Sequence, residues 1–179
     1  MDAFGARDFV DQVYHREYGA EGAAAFSTYL ASASGAVLGY RRASAEPLFL
    51  EAYCDAPIED LLVPVLGRRV ERRAIIEIGN LAATNAMAMV HLWGAAANDL
   101  GANGEVVVAT LTRSLRTMFR RIGIVIHDLC PAERHRLAGA GAGWGSYYEQ
   151  DPRVCAGDIW QGQAAISAFR ARRVPNPAA

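Results

Sequence analysis

Apolar residues recur along this chain with two periods, and the switches between them outline alternating helices and strands. Phe9, Val10, Val13 and Tyr14 fall at helical spacing with charges opposite, predicting a helix over residues 6–18 that Gly19 and Gly22 end. Residues 26–32 and 36–42 read as two strands turned at Gly35, a hairpin. Residues 48–53 form an apolar and aromatic run, with Pro47 and Pro57 at its ends. A short helix over 58–66 opens on Glu59 and Asp60 and is limited by Pro64. Residues 74–78 predict a strand interrupted by Glu77, then a loop at 79–84 and a helix over 85–100. After a turn at 101–104, residues 105–110 are the plainest strand in the chain. A helix over 114–122 ends at Gly123, which suits a left-handed cap. Residues 124–127 predict a further strand, 131–137 a short helix and 161–172 a last helix. Between these lies a Gly/Ala-rich loop, 138–145, too poor in side chains to pack and expected to move; 175–179 is expected to fray. Strand, helix and strand in succession imply a right-handed crossover between parallel strands. The pattern is that of a single α/β domain across residues 1–179.

Composition narrows the partners. The chain is 52% hydrophobic and 21% charged with a net charge of −1, so no global basic field exists to hold nucleic acid or an anionic membrane. All 18 basic residues are Arg, which excludes a Schiff-base lysine or a lysine base. Residues 1–11 carry charges rather than the apolar run of a signal peptide, and no stretch reaches the ~20 apolar residues of a membrane helix. The three cysteines, Cys54, Cys130 and Cys155, are odd in number and lack metal spacing. A disulfide framework is not expected, and a reducing cytoplasm is. The run Arg68, Arg69, Arg72 and Arg73 is a solvated turn on one reading and an anion site on the other.

Candidate chemistry gathers in two places. Glu77 lies within an apolar strand beside Asn80, near a helix start. Such a carboxylate either turns outward or is buried with a raised pKa, fit for a general base. The following helix start, residues 82–86, offers amides and a positive dipole end to an anion, although Thr84 and Asn85 also suit helix capping. The second place is Trp144-Gly145-Ser146-Tyr147-Tyr148, which could line a ligand pocket or close the sheet as a packed edge. Ser146 has no Gly-x-Ser-x-Gly elbow around it. The four histidines form no metal pattern, so no metal site is expected, and Cys54 reads as a small buried hydrophobe.

Several blocks together resemble the thermostable hemolysin family of bacterial proteins. They are Leu48-Phe49-Leu50-Glu51-Ala52-Tyr53 with Ala56-Pro57-Ile58-Glu59, and Ile76-Glu77-Ile78-Gly79-Asn80-Leu81-Ala82. Residues 115–123 fit as well, as does Trp144-Gly145-Ser146-Tyr147-Tyr148 followed by Pro152 and Ala156-Gly157-Asp158-Ile159. That family resembles a branch of the Gcn5-related N-acetyltransferase superfamily, near the acyl-homoserine-lactone synthases.

The resemblance implies a mixed central sheet flanked by helices, with residues 75–78 and 105–109 as a splayed pair of strands. The cleft between them would accept the thioester arm of coenzyme A or an acyl carrier protein, with no tightly bound cofactor. Backbone groups at Ile78, Gly79 and Leu81 would hold the pantetheine, and Ala82, Thr84 and Asn85 would face its phosphates. The superfamily's usual Gln/Arg-x-x-Gly-x-Gly/Ala loop is replaced here by Ala83-Thr84-Asn85-Ala86-Met87-Ala88, which leaves an acyl carrier protein as an alternative donor. The implied reaction is acyl transfer to an amine such as an amino acid or derivative. Glu77 would be the base, Asn80 would steady the oxyanion or pantetheine, and Tyr147 or Ser146 would protonate the thiolate. Glu51, Tyr53, Trp144 and Tyr148 would meet the substrate. Two other classes remain: a binding or partner protein that kept the fold without catalysis, and a membrane-active hemolysin.

Overall fold

The computed structural model describes residues 3–137 and 142–173. Helix α1 (Ala3–Tyr18) precedes the hairpin β1 (Thr28–Ser32) and β2 (Ala36–Arg42). A 3-10 helix (Phe49–Tyr53), α2 (Ile58–Leu66), β3 (Ile75–Ala83), α3 (Ala86–Gly101) and β4 (Val106–Leu111) follow. The chain ends with α4 (Arg113–Ile122), β5 (His127–Pro131), β6 (Arg153–Asp158) and α5 (Ile159–Ala171). The strands form one mixed sheet in the order β1-β2-β3-β4-β6-β5, parallel only between β3 and β4.

Three helix starts, those of α3, α4 and α5, are held by the side chain of the residue just before them. Asn85, Thr112 and Asp158 accept from the amides of Ala88, Leu115 and Gln161 and so cap α3, α4 and α5. Gly123 closes α4 at φ 97°, a conformation that glycine adopts freely.

Strand alternation divides the core between the two sheet faces. Leu38, Ile76, Ile78, Ala109 and Leu111 pack under α3, α4 and α5. On the opposite face, Ile75, Val106, Val108 and Val154 pack against the 3-10 helix and α2, while Val37 and Ala82 pack against α1. Glu77, two residues from Ile75, points to this second face, between the two packing groups.

Four expectations change. Residues 79–83 continue β3 rather than forming a loop, because β2 supplies a pairing edge that periodicity does not reveal. α2 keeps its expected range, 58–66, but Pro64 lies inside it rather than limiting it, and Gly67 closes it, its amide donating to the Val63 carbonyl at 2.9 Å. β5 starts at His127 instead of residue 124, where the edge of β6 becomes available. β6 itself was not anticipated. Its apolar run Val154-Cys155-Ala156 is buried on both faces and shows no alternation. Residues 138–141 of the Gly/Ala-rich loop, and the 175–179 tail, lie outside the described residues.

Candidate active site at a strand fork

β3 and β4 stay paired from Ile75 and Val106 to Ile78 and Ala109, then part. Beyond that point β3 continues beside β2, and Thr110 and Leu111 pair only with β6. The fork is reinforced by a bulge. Gly39 pairs with Gly79 and Val37 with Ala82, so Asn80 and Leu81 together oppose Leu38. Asn80 sits at φ 52°, a left-handed conformation that Asn tolerates better than most residues.

At the fork a small pocket of about 30 Å³ is lined by Phe26, Phe49, Tyr53, Glu77, Asn80, Thr110, Trp144 and Tyr147, among others. Phe26 lies over Gly39 and Gly79, where a Cβ would approach its ring to 2.7 and 2.5 Å. The two glycines are therefore what let this aromatic ring seat against the sheet.

Glu77 is 2% exposed. Its Oε2 accepts from the Phe49 amide at 2.7 Å and its Oε1 from the Leu50 amide at 3.1 Å, so it caps the 3-10 helix from a strand 27 residues away. Arg41, its cross-strand neighbour, places Nε 3.4 Å from Oε2. Burial raises the carboxyl to about 7, against the Arg41 charge and the two amides, which lower it, and with the nearby Glu51 adding to the rise. Arg41 itself is held by the carbonyls of Ala25 and Pro47 and lies over the Phe26 ring. Across the fork, the buried Thr110 Oγ1 has no hydrogen-bond partner among the described residues.

The pocket brings together seven of the residues expected there: Glu77, Ile78, Gly79, Asn80, Tyr53, Trp144 and Tyr147. Tyr148 stands behind them, its hydroxyl 2.8 Å from that of Tyr53. The other expected residues are engaged elsewhere. Glu51 is clamped by Arg72, whose Nη1 and Nη2 each lie 2.8 Å from a carboxylate oxygen, and this ion pair holds its pKa down. Arg68, Arg69, Arg72 and Arg73 each face a carboxylate, which favours the bland reading of that run. Ser146 donates from both its amide and its hydroxyl to the Tyr18 carbonyl, so it anchors α1. Asn80 gives its amide hydrogens to the Ala24 carbonyl and the Tyr29 hydroxyl, so its side-chain donors are engaged within the fold. Leu81 is itself part of the bulge, and Ala82, just past it, packs against α1. Thr84 donates to Ser34, and Asn85 caps α3.

Arg41, Thr110, Phe26 and Phe49 were missed. An Arg directly across from Glu77 is implied once the β2–β3 register is known; the others carry no signal in sequence.

Behind the fork, on the α3–α4–α5 side, lies an apolar cavity of about 80 Å³. Ile78, Trp93, Ala109, Leu111, Phe119 and Gly162 are among its walls. Trp93 and Phe119 stack there at 4.2 Å between ring centres.

A mixed sheet forked between parallel strands, with a bulge at the fork, defines a Gcn5-related N-acetyltransferase-like fold, and solved structures agree. The chain is similar to MesI, a CoA-dependent acyl-homoserine lactone synthase, with TM-score 0.61 and 12% identity over 97% of this chain and 88% of that one. It is similar to FeeM, an N-acyl amino acid synthase from uncultured soil microbes, with TM-score 0.58 and 12% identity over 90% and 93%. Apo TofI aligns with TM-score 0.60 and 18% identity over 94% of each chain. No curated protein matches. Residues 3–163 match the family described as thermostable hemolysin, and the chain belongs to that family.

Proposed function

We propose that the chain transfers an acyl group from a thioester, carried by coenzyme A or an acyl carrier protein, to the amine of an amino acid or a derivative. The observation that carries this reading is a buried carboxyl of pKa about 7 at the point where β3 and β4 part. In this reading the pantetheine arm enters where the strands part, and the apolar walls of the cavity behind them match the chemistry of an acyl chain. The neutral amine attacks the thioester carbon, and the unpartnered Thr110 hydroxyl across the fork is the group we assign to steady the oxyanion. Glu77 takes the amine proton and returns it to the leaving thiolate. A thiol pKa of about 8.5 makes that return downhill from a carboxyl near 7. Burial pushes the Tyr147 hydroxyl well above its ordinary value, so Tyr147 serves as a hydrogen-bond donor rather than the acid. Its chemistry is thus narrower than the sequence suggested.

MesI is described as CoA-dependent and FeeM as an N-acyl amino acid synthase, which supports a thioester donor and an amino-acid acceptor. Asn85 already occupies the Ala88 amide at the start of α3, so that turn offers fewer free donors to the phosphates of coenzyme A. This favours a carrier-protein donor with a single phosphate.

A second reading, a binding protein without catalysis, rests on Glu77 holding two amides and Asn80 two acceptors, as structural staples do. Incubation with a panel of acyl-CoA and acyl-carrier thioesters and amino acids, followed by mass spectrometry of products, separates the two. N-acylated product above the uncatalysed rate is expected. Tight thioester binding without product would favour the second reading.

A further inference from the structure

Outside the fork, two of the three cysteines meet. Cys54 follows the 3-10 helix and caps its end, its amide donating to Glu51 at 3.0 Å. Cys130 lies on β5, the edge of the sheet. The β5–β6 register passes from Asp128 opposite Cys155 to Cys130 opposite Val154, so Leu129 is an extra residue. That bulge turns Cys130 to the face of Val154, where the 3-10 helix packs. The two sulfurs are 3.5 Å apart, 76 positions apart in sequence. Both also lean on the same helix, Cys54 against the Leu50 carbonyl at 3.5 Å and Cys130 against the Tyr53 carbonyl at 3.8 Å. Cys155 packs in the cluster on the opposite sheet face and is out of reach.

We propose that Cys54 and Cys130 form a dithiol oxidation site, which a small-molecule disulfide closes to an intramolecular disulfide that fastens the 3-10 helix to β5. A disulfide bond of about 2.05 Å needs the sulfurs to approach by about 1.5 Å more, within the reach of side-chain rotation at two half-buried residues.

The step balances. The Cys130 thiolate attacks one sulfur of oxidised glutathione and releases one glutathione thiolate. The Cys54 thiolate then attacks the Cys130 sulfur of the mixed disulfide and releases the second. Two S–H bonds and one S–S bond are lost; one S–S bond forms in the protein, and two molecules of glutathione carry away the protons and electrons. Cys130 is the first nucleophile. Burial raises both thiols, Cys54 to about 12, but the Arg153 guanidinium and the contact from Cys54 act to lower Cys130. In a reducing compartment the dithiol is the resting form.

The site bears on the fork without belonging to it. The helix that would be fastened at Cys54 holds Glu77 through the amides of Phe49 and Leu50.

Native full-length protein treated with oxidised glutathione should lose about 2 Da. Peptide mapping should place the bond between Cys54 and Cys130, and Cys155 should remain open to alkylation after unfolding. Cys155→Ser should behave like the parent, whereas Cys54→Ser and Cys130→Ser should each stop at a glutathione adduct or not react. Amide exchange at Phe49 and Leu50 should slow by about threefold or more in the oxidised form. A native chain that keeps its mass, a stable adduct on the parent, a disulfide through Cys155 or between chains, or unchanged exchange would each overturn the proposal.

Discussion

Glu77 does two jobs with one carboxyl, and its pKa connects them. It holds the 3-10 helix through two amides and also sits at the fork as the proposed base. Its folded pKa is raised from 4.5 to about 7. Stability from this group is therefore fully present below pH 4.5 and is lost as pH rises through 7. The shift corresponds to a cost on the order of 3 kcal/mol for the ionised form. Activity should run the other way, rising with pH through about 7 as the base ionises. Glu77→Gln should flatten both profiles and lower turnover at least ~100-fold. It leaves one of the two amides unpaired, at a cost of about 1–3 kcal/mol, so melting temperature must be followed beside the rate. Unchanged kinetics in a folded variant would remove Glu77 from the mechanism. This residue was legible in sequence because a charge within an apolar strand stands out. Arg41 and Thr110 were not, since Arg41 acquires meaning only from pairing with Glu77, and Thr110 only from the strand fork.

At the scale of elements, α5 offers the clearest test of the cavity. Gly162 lies within this helix and faces the apolar space, and a Cβ there would meet nothing within 4 Å. Gly162→Ala should therefore stabilise the fold by about 0.5–1 kcal/mol, as helix propensity alone predicts, measured by thermal or denaturant unfolding. Gly162→Leu puts a larger side chain into the same space. If the cavity takes the acyl chain, that variant should shift preference to shorter chains without losing activity on the shortest. Equal use of all chain lengths would place the acyl chain elsewhere. The helices themselves were readable from period and caps. β6 and the second half of β3 were not, because a buried strand without alternation is recognised by its pairing partners, and those lie in other parts of the chain.

For the molecule as a whole, the apolar faces of α3, α4 and α5 are occupied by the sheet. Among the described residues the exposed large hydrophobics are Val63, Val125 and Trp160, and no helix is long and apolar enough to cross a membrane. The described surface thus carries large apolar side chains at scattered positions. Dye-loaded liposomes should stay intact with purified protein alone. Leakage on adding an acyl thioester and an amine would point to an amphiphilic product, whereas leakage without them would revive direct membrane action.

Local order was set by the sequence alone: the helices, their caps, the hairpin and an unusual carboxylate beside a helix start. Those features depend on neighbours within a few residues, through backbone geometry and side-chain period. Tertiary structure decided what the carboxylate means. The fork exists because β2 and β6 draw β3 and β4 apart, and the Glu77 pKa is raised because distant segments bury the carboxyl, against the lowering by Arg41 and the amides of Phe49 and Leu50. Desolvation and pairing energies depend on which groups are brought together in space, and one-dimensional spacing does not carry that information.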